Sequence, residues 1–295
     1  MLKPFLLVIT FVLMFAQVSI AHTLNGDAGI VPDNDLYISA DAKNIKQISL
    51  EEFNKVLDRL EAIYAPIFEE KGGKFTLERA WDDGTVNAYA KQEEKIWIVH
   101  MYGGLARHEV VTSDGFALVG CHEIGHHIGG APKKKGLFWG RTWASIEGQA
   151  DYFATLKCMR EYFESDNNQE IVAKMDVPAF ATEKCIQVHG KDKEQVAICQ
   201  RSAMAGMSLA ALFNELRNSQ TELSFETPNP QIVSVTDEKH PEAQCRLDTY
   251  FQGALCDEEK NIDTHVRDAK VGTCNRSTGH EIGIRPLCWF NPKKY

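Results

Sequence analysis

His122 and His126 stand four residues apart in the segment Cys121-His-Glu-Ile-Gly-His-His-Ile-Gly-Gly130, and Glu123 directly follows the first of them. An α-helix turns about 100° per residue, so the two imidazoles leave it about 40° apart and can reach one metal ion. Glu123 lies beside that ion without being needed as a ligand. A carboxylate there is placed to take a proton from a metal-bound water. The third ligand is expected at Glu147, in Glu147-Gly-Gln-Ala-Asp151. Two histidines and one carboxylate leave the fourth tetrahedral position to water, the arrangement of a catalytic rather than a structural zinc, so one catalytic Zn2+ is implied. Asp151, one turn beyond Glu147, shares its helix face and is expected to accept the outer N–H of a ligand histidine, His122 first. His127 points about 100° away from His126 and is read as packing or hydrogen bonding. His100 and His108 have no partner spacing and are read as structural or exposed.

These side chains need two helices and a return between them. Ser113 or Asp114 is expected to cap the first helix, which runs through Phe116, Leu118 and Val119 towards Gly129. Gly129, Gly130 and Pro132 should end it, 133–140 should turn as a solvated loop carrying Lys133, Lys134 and Lys135, and a helix over 142–163 should lay Glu147 against the histidines. Upstream, Ser49 and Glu52 form a capping box ahead of Phe53, Val56, Leu57, Leu60, Ile63 and Tyr64 at helical spacing. Segments 74–80, 85–91 and 95–102 read as strands, the first two joined through Asp82-Asp83-Gly84, giving a small antiparallel sheet. Helices are expected over 168–175, 178–188, 192–217 and 241–255; the apolar run 203–213 is too short to span a membrane and reads as a buried core helix. The fold class is therefore α+β and rich in helix towards the C-terminus.

At HExxH joined to Glu147 and Asp151 the chain resembles the gluzincin metallopeptidases. Thr85-Val-Asn-Ala-Tyr-Ala90, Lys95-Ile-Trp-Ile-Val-His-Met-Tyr102 and His240-Pro-Glu-Ala-Gln-Cys-Arg246 are similar to elements of the CAAX prenyl protease and HtpX branch, and these matches span 87–246. Members best known in that branch are membrane embedded, whereas this chain has no mature span, and its interval between HExxH and the glutamate is short. The resemblance implies a zincin-like metallopeptidase that cleaves peptide or protein substrates. It assigns substrate pairing by strand addition to the edge strand at Asn87, Ala88, Tyr89 and Ala90. It also assigns a catalytic donor role to His240 or Arg246, although Arg246 could instead pair with an acid such as Asp248. The other reading is a zinc-containing pseudoenzyme or peptide-binding module of the cell envelope, which would gain nothing from Glu123.

Residues 1–21 combine Lys3, an apolar stretch from Phe5 to Phe15 and Ser19-Ile-Ala21, the pattern of a secretory signal peptide cut before His22. The chain is therefore expected to be exported, periplasmic or secreted, with no stable membrane span after the leader is removed. Residues 22–295 read as a single unit: an unpatterned arm at 22–44 that could cover the cleft, helix, sheet and active helix over 44–130, a helical part over 141–257, and a tail at 258–295. All eight cysteines lie beyond the leader, an even number that favours disulfides. Short loops suggest Cys185 with Cys199, Cys245 with Cys256 and Cys274 with Cys288, leaving Cys121 and Cys158. With 41 acidic against 32 basic residues the formal charge is −9, which argues against nucleic acid as partner.

Overall fold

A computed structural model describes residues 29–42, 48–136 and 140–295. The expected leader, at 1–21, and residues 22–28 and 43–44 of the arm lie outside them. Helix α1 (Leu50–Glu70) begins where its cap predicts: the Ser49 hydroxyl accepts the Glu52 N–H, and Phe53, Val56, Leu57, Leu60, Tyr64 and Phe68 are buried along one side. Strands β1 (Lys74–Ala80), β2 (Ala88–Glu93) and β3 (Ile96–Tyr102) follow. Their order is β1-β3-β2, with β3 parallel to β1 and antiparallel to β2.

The sheet is thus mixed, which corrects the antiparallel one expected. The residues after β1 do not make a hairpin. Asp83 accepts the Thr85 N–H and hydroxyl at 2.9 and 2.7 Å, and its own carbonyl accepts the Gly104 N–H at 2.9 Å. The buried Arg107 guanidinium collects the carbonyls of Ile38, Trp81 and Asp83. This knot carries the chain past β1, and β3, with Ile98, Val99 and Met101 buried, takes the centre. Thr85, Val86 and Asn87 pair with residues of the arm instead of β3.

Helix α2 (Gly103–Ala106) leads into α3 (Ser113–Ile128), whose cap is Thr112 rather than Ser113 or Asp114. Both of those side chains are engaged elsewhere. Ser113 bonds Glu52, and Asp114 accepts two donors from Arg201. From Gly115 to His126 every residue of α3 is buried, because α1, β2, α4 and α8 pack around it.

The return to Glu147 is a hairpin rather than a loop, and the helix expected over 142–163 starts only at Glu147, running on to Phe163. β4 (Lys133–Lys135) pairs antiparallel with β5 (Arg141–Ser145), and α4 (Glu147–Phe153) starts directly after it. A π turn (Ala154–Cys158) joins α4 to α5 (Met159–Phe163). Helices α6 (Asn168–Val172), α7 (Ala179–His189), α8 (Lys193–Leu216) and α9 (Ala243–Ala254) complete an α+β fold dominated by helix. Although α8 is long and apolar enough to cross a membrane, most of it is buried in the core, as expected for its 203–213 stretch.

Four disulfides link Cys121 to Cys158, Cys185 to Cys199, Cys245 to Cys288 and Cys256 to Cys274. Two of the expected pairs, Cys245 with Cys256 and Cys274 with Cys288, are therefore wrong. Cys245 and Cys256 sit near opposite ends of α9, about 16 Å apart at 1.5 Å per residue, and a disulfide requires Cα atoms within about 7 Å. The tail bonds to each end of α9 instead. It buries Trp289 against Gly148 and receives the Tyr152 hydroxyl on the Gly283 carbonyl, so it backs the helix that carries Glu147. A set of four disulfides fits an oxidising, exported environment.

Candidate functional site

Gly125 faces α4 so closely that a β carbon there would lie 3.0 Å from the Ala150 carbonyl oxygen. This approach brings the first turn of α4 against His122 and His126. The hairpin fixes its level: the Ser145 hydroxyl donates to the Gly130 carbonyl at 2.7 Å, and Gln149 Nε2 donates to the Gly129 carbonyl at 2.7 Å.

Each ligand-type histidine has its inner nitrogen occupied. His122 Nδ1–H donates to Asp151 at 2.6 Å, as expected from the sequence, and His126 Nδ1–H donates to the Ser145 carbonyl at 2.8 Å. Both bonds turn Nε2 of each ring towards Glu147, the orientation a metal ligand needs. Glu147 Oε2 lies 3.3 Å from His122 Nε2 and 3.7 Å from His126 Nε2. Ligands about 2.0–2.1 Å from a tetrahedral ion are about 3.3 Å from one another. All three atoms are buried and lack a hydrogen-bond partner, as do both Glu123 oxygens. Buried polar atoms are rarely left unsatisfied, so this group of side chains could hold a metal ion. Burial pushes Glu123 up to about 8, into the range where a carboxylate can exchange protons near neutral pH.

His240 joins the group: its Nε2 lies 3.2 Å from Glu147 Oε2 and 2.7 Å from the Gly29 carbonyl oxygen. Arg246 sits one layer behind. It pairs with Asp151 through Nε and a terminal nitrogen, at 2.8 and 2.7 Å, and stacks over Phe213. The alternative partner, Asp248, instead accepts from Asn229 and Gln244. Burial would raise the Asp151 carboxyl, but Arg246 and His122 together outweigh it and hold the group down to about 2. The Tyr250 hydroxyl also donates to Asp151, at 2.6 Å.

Of the expected edge strand, Ala88, Tyr89 and Ala90 belong to β2 and Asn87 immediately precedes it. That edge holds residues of the arm: the Ile30 N–H donates to the Ala88 carbonyl at 2.9 Å. His127 stays off the site, with its ring on Trp143 and Nε2 bonded to the Ile98 carbonyl. His100 bonds Glu78, and His108 faces Glu215.

Lys134 is the site residue that sequence reasoning missed. Its Nζ donates to Glu147 Oε1 at 2.8 Å, which turns the other oxygen towards the histidines. Lys133, unlike Lys134, is buried, donating to the Trp143 carbonyl at 2.8 Å, and burial lowers its ammonium to about 8. Only Lys135 of the three is exposed, and it faces Glu238. Comparison with protein-family models, curated proteins and solved structures finds no match to this chain.

Proposed function

We propose that this chain is an exported zinc-dependent endopeptidase of gluzincin type, resembling the CAAX prenyl protease and HtpX branch in its motifs. The observation that carries the reading is the convergence of three buried atoms, His122 Nε2, His126 Nε2 and Glu147 Oε2, beside the Glu123 carboxyl group, which has no hydrogen-bond partner. Zinc held there supplies Lewis acidity and lowers the pKa of a water to about 7.

The remaining work falls to the protein. Asp151 and the Ser145 carbonyl hold the two rings in the correct tautomer and orientation. Glu123 takes the water proton as general base and returns it to the leaving amine as general acid, which contributes about 10²–10⁴-fold. His240 is the donor for the scissile carbonyl oxygen, since it reaches a carbonyl beside Glu147. The β2 edge, with Asn87, aligns an extended peptide by backbone bonds. Arg246 is a positioning residue through Asp151. Export is supported by the four disulfides and by the composition of 1–21.

The test is hydrolysis of an unbiased peptide library by the mature protein beside Glu123→Gln. Cleavage by wild type alone supports the peptidase. Zinc in both proteins with cleavage by neither would favour the peptide-binding module instead.

A further inference from the structure

Residues 29–31 of the arm make contacts of an unusual kind. The Gly29 carbonyl accepts from His240 at 2.7 Å, and the Ile30 N–H donates to the Ala88 carbonyl at 2.9 Å. The Ile30 carbonyl accepts from Arg246 at 2.6 Å. Asn87 closes the series: its Oδ1 accepts the Val31 N–H at 3.4 Å and its Nδ2 donates to the Val31 carbonyl at 3.2 Å. Gly29 forms an antiparallel bridge with Tyr89, so the segment lies on β2 as an added strand.

Consecutive backbone groups are thus held by donors and acceptors outside the arm, and His240, which holds the first, also touches Glu147. Backbone recognition of this kind does not depend on which chain supplies the strand. Selectivity comes from the side chains. A β carbon at Gly29 would meet Asn87 Oδ1 at 2.5 Å and the Ala88 carbonyl at 2.9 Å, so that position takes glycine. Ile30 is 0% exposed and Val31 3%. From Pro32 to Tyr37 the arm is mostly exposed, so its deep anchoring is confined to the residues that lie at the site.

We propose that this trench binds extended peptides with glycine, then a large aliphatic residue, then a β-branched one, and that the chain's own arm occupies it as a tethered ligand that an external peptide must displace. The inference rests on the proposed function only for identifying the trench as the place of action.

The test uses the mature chain carrying Glu123→Gln, so that bound peptide is not consumed, and reads binding rather than turnover. The probe is a fluorescent peptide of the arm's own sequence, Ala-Gly-Ile-Val-Pro-Asp, with a control carrying aspartate in place of isoleucine. Adding Gly29→Trp or Ile30→Asp should displace the arm and tighten binding of the probe at least tenfold by fluorescence anisotropy, while the control stays at least tenfold weaker. Variants that keep the parent circular dichroism and thermal transition yet bind no tighter would overturn the proposal.

A second measurement leaves the arm intact. Hydrogen exchange at the Ile30 and Val31 amides should accelerate at least tenfold when unlabelled peptide exceeds the tether's effective concentration, on the order of millimolar. Unchanged exchange would overturn the proposal equally. If wild type cleaves peptides while both measurements fail, only the tethered occupant falls. If both succeed and wild type cleaves nothing, only the peptidase falls.

Discussion

Asp151→Asn is the substitution for which the structure gives the sharpest expectation. The carboxylate accepts four bonds: Oδ1 receives His122, Arg246 and Tyr250, and Oδ2 receives the Arg246 Nε–H. An amide has one oxygen. In either orientation its NH2 group confronts a donor, and Arg246, 1% exposed, loses its counter-charge. Breaking a buried ion pair by removing one partner costs about 3–5 kcal/mol. The second loss is local to the metal: without its orienting acceptor His122 should bind zinc about 10–100-fold more weakly. The two effects separate experimentally. Urea unfolding with excess chelator reads the stability of the metal-free fold, and competition with a chromophoric chelator reads zinc affinity. Arg246→Met should lose stability too but hold zinc better than Asp151→Asn, because His122 keeps its carboxylate. An Asp151→Asn protein that unfolds within about 1 kcal/mol of wild type and binds zinc as tightly would rule out these roles for Asp151, since a buried unpaired cation costs more than that.

Other expectations follow from the same contacts. His240→Phe should lower kcat about 10²–10³-fold with the zinc content unchanged, by loss of one donor to the reacting carbonyl. Removing both Cys121 and Cys158 by alanine should destabilise the fold by about 3–4 kcal/mol in urea, from the loop-closure entropy of their 37-residue separation. Lys133 titrates at about 8 when folded and near 10.5 when unfolded. The unfolded chain therefore binds more protons between those values, and stability rises with pH there. Wild type should gain about 2 kcal/mol relative to Lys133→Met between pH 7 and 9.5 by urea unfolding, and an unchanged difference would contradict burial of that ammonium. Lys134→Met should weaken zinc binding while leaving α4 folded, because Glu147 Oε1 loses its partner.

What could be read from the sequence was what depends on local geometry. HExxH and the Glu147 to Asp151 interval are single helical turns, so His122, His126, Glu147 and Asp151 could be placed on common faces before the fold was known. The Ser49 cap and the apolar stripe of α1 are local in the same sense. Non-local pairings were harder. Asp82-Asp83-Gly84 looks like a hairpin turn, yet Arg107 and Gly104, some twenty residues away, convert it into a crossing. The continuous apolar run of β3 was the available sign that it would be central. Three identical lysines carry no alternation, so nothing in the sequence separates buried Lys133 and Glu147-bound Lys134 from exposed Lys135. The helix expected over 241–255, found at Ala243–Ala254, by its length alone argues against bonding Cys245 to Cys256. The arm had no pattern to read because most of its contacts at the site are made by its backbone.

X-ray absorption on the mature protein reads the proposed metal centre itself. The expected result is one zinc per chain in a shell of nitrogen and oxygen at about 2.0–2.1 Å with no sulfur, lost when Glu147 and His126 are replaced by alanine. Zinc below stoichiometry, or sulfur in its shell, would rule out the centre built from His122, His126 and Glu147.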